Sequence, residues 1–123
     1  MPSETIHTLQ AEHNERLSRG LVLLSPQFMD WAVTACFYAA IHLVEGYLAR
    51  FGIHPHTHVE REGWIRRRLP HIRPNYWRLK HYSLHARYQG TQMTPATAFQ
   101  PAFVENLITT ELGAIKNYIA GLP

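Results

Sequence analysis

The sequence predicts an all-α fold, an antiparallel up-down bundle of four to five helices that forms a single domain over residues 1–123. Apolar residues recur at steps of three and four along the long segments, and no segment alternates in the way that is typical of a half-buried strand. The link between the first two predicted helices is short, which favours antiparallel neighbours. A chain of 123 residues, 46% of them hydrophobic, is long enough to bury a core.

The most apolar segment, MDWAVTACFYAAIHLVEGYLARFGIHP, predicts a central helix over residues 29–51. Because it is apolar nearly all round, we expect it to be buried on several sides and to be the most buried helix. Small residues such as Ala39 and Gly46 would let neighbouring helices approach closely. One stripe at steps of three and four contains Trp31, Ala35, Tyr38, His42, Glu45 and Ala49.

The ends of this helix carry recognisable signals. Ser25 followed by Pro26 predicts its start, while Gly52 and Pro55 predict its end. Its uncharged run is shorter than the roughly 20 residues that a bilayer requires, so we expect no membrane segment.

The single cysteine, Cys36, excludes an internal disulfide framework and is expected to be a buried structural thiol. The polar segment MPSETIHTLQAEHNERL carries acidic residues early, which is unlike a signal peptide. Together these features predict a reducing, cytoplasmic location.

Four other helices are predicted. The first runs from Glu4 to about Leu21, capped by Ser3, and the third starts near His58 through a Thr57–Glu60 capping box and ends at residues 69–70. The fourth covers residues 75–89 after a loop bracketed by Pro70 and Pro74, and the fifth runs from residue 96 or 97 to residue 120. The inner face of the first helix is predicted to contain Ile6, Leu9, His13, Leu17 and Leu21.

Positive charge is concentrated in the middle of the chain, because no acidic residue occurs between Glu62 and Glu105. A basic tract of this kind favours phosphate-bearing partners, although a simple solvated surface would have the same composition. The interleaved aromatic residues could stack on bases or pack in the core; they are Trp64, Tyr76, Trp77, Tyr82 and Tyr88. The candidate nucleic-acid contacts are Arg61, Arg66, Arg67, Arg68, Arg73, Lys80 and Arg87.

Histidines raise two further alternatives. His54, His56 and His58 form an HxHxH run that could bind a metal, but Pro55 makes it an extended loop and no paired spacing elsewhere supplies further ligands. We therefore predict no metal site and no cofactor. His42 is expected to be a buried, hydrogen-bonded histidine, and lining a ligand cleft is the alternative role.

The segments DWAVTACFYAAIHLVEGYLARFGIHPHTHVER and YWRLKHYSLHARY resemble small proteins of the HEPN superfamily, and the likeness extends over roughly residues 5–120. The resemblance implies a bundle of four or five helices that is commonly dimeric. Many members are metal-independent endoribonucleases with an R-x(4–6)-H motif. Others lack catalysis and bind nucleotides or a nucleotidyltransferase partner.

Arg78 and His85, separated by six residues, fit this motif at its longest spacing. The resemblance implies that His85 moves a proton while Arg78 stabilises charge on the phosphate. Leu79 stands where catalytic members often have a polar residue, and a second match, Arg66 to His71, is interrupted by a proline.

Two functions follow as expectations. The first is a metal-independent endoribonuclease that is related to toxins or defence and acts as a homodimer, with an antitoxin as a possible partner. The second is a non-catalytic module that binds RNA, a nucleotide or a protein partner such as a nucleotidyltransferase.

Overall fold

The computed structural model describes residues 2–24, 28–89 and 99–123, and every regular element in these ranges is helical. The predicted all-α fold class is therefore confirmed. The first four helices are α1 (Glu4–Leu24), α2 (Met29–Ala49), α3 (His58–Arg68) and α4 (Arg73–Leu84).

The fifth helix and the end of the fourth depart from regular α-helix. A π-helical segment, His85–Gln89, continues α4. Helix α5 is built from an α-helical segment Pro101–Asn106, a π-helical segment Leu107–Leu112 and a second α-helical segment Gly113–Ala120. A 3₁₀ turn, Pro70–Ile72, joins α3 to α4.

Helix α2 forms the centre of the core, as predicted, since 14 of its 21 residues are buried. By length and composition alone it could cross a membrane, but 72% of its apolar stretch is buried within the protein. A mostly buried helix of this kind is also what the core of a soluble protein contains. Trp31 is an exception to the burial, being 62% exposed.

The thiol of Cys36 lies in this core and is fully buried, as the sequence predicted. Burial disfavours the thiolate and raises its pKa to about 12. Cys36 is therefore a packing residue rather than a nucleophile.

Helices α1 and α2 pack as an antiparallel pair. Near one end the Ser18 hydroxyl donates to the carbonyl oxygen of Ala32 at 2.7 Å, and near the other the Nδ1 atoms of His7 and His42 are 3.0 Å apart. A Cβ atom added at Gly46 would lie 3.2 Å from the His7 Cβ. The absence of a side chain at Gly46 therefore permits the close approach of the two helices, as predicted.

The predicted inner face of α1 is wrong except at Leu21, which is partly buried against the core. Ile6, Leu9 and Leu17 are 57%, 59% and 49% exposed, and His13 is exposed as well. The buried residues are instead His7, Ala11 and Ser18. At so short a distance between the helices only small or hydrogen-bonded side chains fit, so the leucine stripe turns outward.

The boundaries of α3 and α4 follow from local chemistry. The Thr57 hydroxyl accepts from the Glu60 N–H at 3.1 Å, which confirms the predicted start of α3. The predicted loop between Pro70 and Pro74 is wrong, because a 3₁₀ turn follows Leu69 and α4 already begins at Arg73. Pro74 fits within the first turn of α4, where its missing N–H has no partner to lose.

Some of the other predicted helix ends fall within the described residues and can be compared with the structure. Gly52, at a φ of +71°, follows the end of α2 as predicted. Helix α1 extends three residues beyond Leu21. The start of α2 predicted at Ser25 and Pro26, and that of α5 predicted at residue 96 or 97, lie outside the described residues.

Helices α4 and α5 also run antiparallel. The Asn75 side-chain amide donates to Glu111 Oε2 at 2.9 Å, and further along α4 the Tyr82 ring meets the Phe103 ring edge-on with centroids 4.9 Å apart. The α4–α5 pair packs against α2 in the core, where Tyr76 of α4 contacts Phe37 of α2 edge-on with ring centroids 5.4 Å apart.

The outward direction of the α1 leucines is tested by comparing Leu17 on α1 with Leu48, a buried leucine on α2. We expect Leu48→Ala to lower the free energy of unfolding by about 2–5 kcal/mol, because Leu48 is fully buried and its loss leaves a cavity. Leu17→Ala should change it by less than about 0.5 kcal/mol, because Leu17 is half exposed. Urea denaturation of both variants measures the difference, and an equal loss in the two would contradict this orientation of α1.

Candidate nucleic-acid interface

A groove of about 190 Å³ lies between α3 and α4 and is lined by three of the twelve lysine and arginine side chains of the chain. Arg66 reaches it from α3, and Arg73 and Lys80 reach it from α4. The full lining is Val59, Glu62, Ile65, Arg66, Arg73, Tyr76, Trp77 and Lys80. Three of the seven predicted nucleic-acid contacts thus meet in one depression.

The three cations of this groove differ in how they are paired. Lys80 Nζ lies 2.6 Å from Glu62 Oε2, so its charge is largely neutralised inside the groove. Arg66 and Arg73 are both exposed, and neither has an acidic partner among the residues that the structure describes. The two guanidinium groups can therefore accept an anionic ligand such as a phosphate.

A row of three rings follows α4 at intervals of four residues, beginning in the groove; the first, Trp77, is exposed, and His81 and His85 are partly buried. Trp77 is 59% exposed, and its ring stacks on the His81 ring with centroids 5.1 Å apart and an angle of 11° between the planes. His81 then meets His85 edge-on at 4.6 Å. The exposed ring of Trp77 thus supplies an open aromatic surface beside Arg66 and Arg73.

The other aromatic residues of the basic tract occupy different environments. Tyr76 is buried in the core, and Trp64 and Tyr82 are partly buried against it. The side chain of Tyr88 lies outside the described part of the chain. Trp77 is consequently the aromatic residue best placed to stack on a base, while Tyr76 contributes to packing.

Arg67 and Arg68 are exposed, and they contact aromatic rings instead of lining the groove. The guanidinium of Arg67 lies 5.1 Å from the centre of the Trp64 ring, and that of Arg68 lies 4.5 Å from the centre of the Phe51 ring. Both remain accessible to solvent, so they extend the positive field around α3 without lining the groove.

Arg61 has an internal role that corrects its prediction as a surface contact. It is only 7% exposed, and Nη2 lies 2.7 Å from Glu45 Oε1, to which Nε also donates at 3.1 Å. A third nitrogen, Nη1, donates to His58 Nδ1 at 2.9 Å. Its hydrogen bonds are thus made within the fold, between α3 and α2, and a phosphate has no access to it.

Arg87 is held against α2. Its Nη1 donates to the Tyr38 hydroxyl at 3.2 Å and its Nε donates to the Ser83 carbonyl oxygen at 3.3 Å. The guanidinium carbon also lies 5.7 Å from the centre of the Tyr38 ring. This arginine therefore lies apart from the α3–α4 groove that Arg66 lines.

The predicted catalytic pair has separate contacts. Arg78 Nε lies 3.5 Å from Glu111 Oε1 on α5, and its guanidinium is 5.9 Å from the Tyr82 ring centre. His85 contacts His81 and begins the π-helical continuation of α4. Seven residues of helix separate the two positions by roughly 10.5 Å along the axis, so no direct contact joins them.

The HxHxH run is divided between two surroundings. His54 and His56 line a cavity together with His7 and Glu45. The His58 Nδ1 instead accepts from Arg61, and burial together with the nearby Arg61 cation lowers the pKa of His58. The three histidines therefore do not form one ligand set.

Sequence reasoning missed the pairing of His7 with His42. Burial lowers the pKa of both rings; the charge of Glu45 opposes this shift at each ring, and the neighbouring His7 further lowers the pKa of His42. These two histidines are separated by 35 residues along the chain, so no spacing rule links them. His42 itself is hydrogen-bonded, as predicted, although it is only partly buried.

Glu111 is a further buried polar residue whose partners could not be predicted from the sequence. It is 6% exposed and joins Asn75 and Arg78 to the π-helical segment of α5. Such segments often occur at functional sites.

No protein-family model matches the chain, and no match was found among curated proteins or solved structures. The likeness to the HEPN superfamily accordingly stays a prediction from the sequence.

Proposed function

We propose that the protein is an RNA-binding helical module and that single-stranded RNA or a nucleotide binds in the α3–α4 groove. The observation that carries this proposal is the meeting of Arg66 and Arg73, neither with an acidic partner in the described residues, with the exposed ring of Trp77. Guanidinium groups bind phosphates with two parallel hydrogen bonds, and an exposed indole stacks on any base.

The surroundings of the groove suit a single strand better than a duplex. The row of Trp77, His81 and His85 extends along one side of α4, which would allow more than one unpaired base to stack. Arg67 and Arg68 extend the positive field on the α3 side without an ion pair in the described chain. Phosphates of a strand passing along the groove would thus meet cations on both helices.

Variants of the groove test RNA binding. Arg66→Ala combined with Arg73→Ala should weaken the binding of a short single-stranded RNA and reduce the salt slope of log K by about 0.7 for each lost phosphate contact. Trp77→Ala should cost about 1–3 kcal/mol of binding free energy through lost stacking. Fluorescence anisotropy at several salt concentrations measures both effects.

The chain offers matched controls for these variants. Arg16 is an exposed arginine on α1, and Trp31 is an exposed tryptophan on α2, so Arg16→Ala and Trp31→Ala remove similar groups outside the groove. Wild-type affinity in both controls is expected. The proposal fails if the controls weaken RNA binding as much as the groove variants do, or if the wild-type protein binds no RNA at low salt.

A second candidate function, metal-independent RNA cleavage, is favoured by the contact of His81 with His85 at 4.6 Å and by the resemblance to the HEPN superfamily. One imidazole would take the proton of the ribose 2′-hydroxyl as that oxygen attacks phosphorus. A second proton donor would protonate the departing 5′-oxygen, which leaves a 2′,3′-cyclic phosphate and a 5′-hydroxyl. Arg78 would stabilise the charge on the phosphate oxygens.

Cleavage is tested with a labelled RNA in the presence of a chelator. We expect His85→Ala to abolish cleavage while RNA binding and thermal stability stay near wild type. Arg78→Lys should also lose much of the rate, because lysine lacks the bidentate fork. If His81→Ala abolishes activity and His85→Ala does not, the assignment of His85 is wrong. If the purified protein cleaves no RNA, binding alone remains.

A homodimer, an antitoxin or nucleotidyltransferase partner, and a cytoplasmic location belong to this proposal as predictions from the sequence.

A further inference from the structure

A cluster of potential metal ligands lies between α1 and α2, on elements other than those that form the groove. One ring nitrogen each from His7 and His42 and one carboxylate oxygen of Glu45 all lie within 4.8 Å of one another. The Nδ1 atoms of the two histidines are 3.0 Å apart, and their rings are inclined at 34°. His7 is buried, while His42 and Glu45 are partly buried.

A cavity of about 200 Å³ adjoins this cluster and brings further histidines to it. His7 and Glu45 form one side of the cavity, and His54 and His56, from the segment after α2, form another. His54 is close enough for its charge to influence His7. Two of the three histidines of the HxHxH run therefore line the same cavity as His7 and Glu45.

We propose that this cluster is a binding site for a divalent transition-metal ion, best suited to Zn²⁺, with His7, His42 and Glu45 as ligands. His54, which lines the adjoining cavity, would move towards the ion as the fourth ligand. The set consists of three imidazoles and one carboxylate. Zinc accepts such nitrogen and oxygen ligands in tetrahedral coordination. Zinc–nitrogen bonds of about 2.0–2.1 Å place neighbouring ligand atoms about 3.3 Å apart in a tetrahedron. The His7–His42 separation of 3.0 Å is already close to that edge.

The protonation states agree with ligation. In the bond between the two histidines one Nδ1 carries the proton and the other accepts it. On metal binding the donor ring would move that proton to its Nε2, so both Nδ1 lone pairs become free and two neutral imidazoles bind the ion without net proton release. Neutral imidazole is the form that binds metals.

Arg61 would hold the Glu45 carboxylate in position through hydrogen bonds to one of its oxygens. Its Nε and Nη2 both donate to Glu45 Oε1, and neither bond uses Oε2. A charged partner on one oxygen holds the carboxylate in place for a metal on the other, as hydrogen-bonded outer groups do in known metal sites. The alternative is that no ion binds here and that His7 and His42 form only a neutral hydrogen bond with each other.

Zinc titration of the full chain tests the proposal. Chelator-treated and dialysed protein is titrated with ZnCl₂ in a calorimeter and, separately, with Co²⁺, whose visible absorption reports tetrahedral nitrogen and oxygen ligands. We expect one ion per chain. His42→Gln should abolish binding, and His54→Ala should weaken it by at least about 10-fold, the smallest effect typical of groups that support a metal site.

A histidine outside the cluster supplies the control for the zinc titration. His13→Ala removes an exposed histidine on α1 outside the cluster and should bind zinc as the wild type does. His54 lies outside the helices, so His54→Ala is informative even if His42→Gln fails to fold. The proposal is overturned if the wild type binds no zinc at micromolar concentration. Zinc affinity unchanged in His54→Ala and in a folded His42→Gln variant would overturn it equally.

Discussion

The ion pair between Arg61 and Glu45 is the interaction on which both proposed sites depend. It joins α3 to α2, with Nη2 and Oε1 2.7 Å apart and the two side chains only 9% and 16% exposed. On the α3 side it determines where the wall of the groove lies, and on the α2 side it orients a carboxylate beside His7 and His42. A buried pair of this kind contributes little net stability by itself but strongly penalises the loss of one partner.

The position of α3 depends on very few buried groups. Within this polar helix only Arg61 and Ile65 are buried, and Leu69 follows at its end. Arg66, Arg67 and Arg68, in the last turn of the helix, are exposed. The run of three arginines thus stays exposed while a fourth arginine, Arg61, nearer the start of the same helix, holds the helix to the core.

Much of the fold, and less of the candidate sites, could be predicted from the sequence. The all-round apolar character of α2, and the Thr57 cap of α3, are local properties, and both were confirmed. The face of α1 was mispredicted because its burial depends on the small side chains of α2, not on its own leucines. Charge alone could not distinguish Arg61 from Arg66, since only the position of Glu45 in space separates an internal arginine from an exposed one.

The π-helical segments and the His7–His42 contact lay beyond sequence reasoning for a related reason. His7 and His42 are 35 residues apart in the chain, and Glu111 of the π-helical segment bonds to Asn75, 36 residues away. Periodicity assigns residues to faces of one helix, but it carries no information on which face of another helix will meet them.

The most direct test of this account compares Arg61→Ala with Arg66→Ala in equilibrium urea unfolding. We expect Arg61→Ala to lower the free energy of unfolding by about 3 kcal/mol, because Glu45 is left partly buried without its cation. Arg66→Ala, an exposed arginine of the same helix, should change it by less than about 0.5 kcal/mol. Equal stability of the two variants would contradict the account, since Arg61 would then be one more surface arginine.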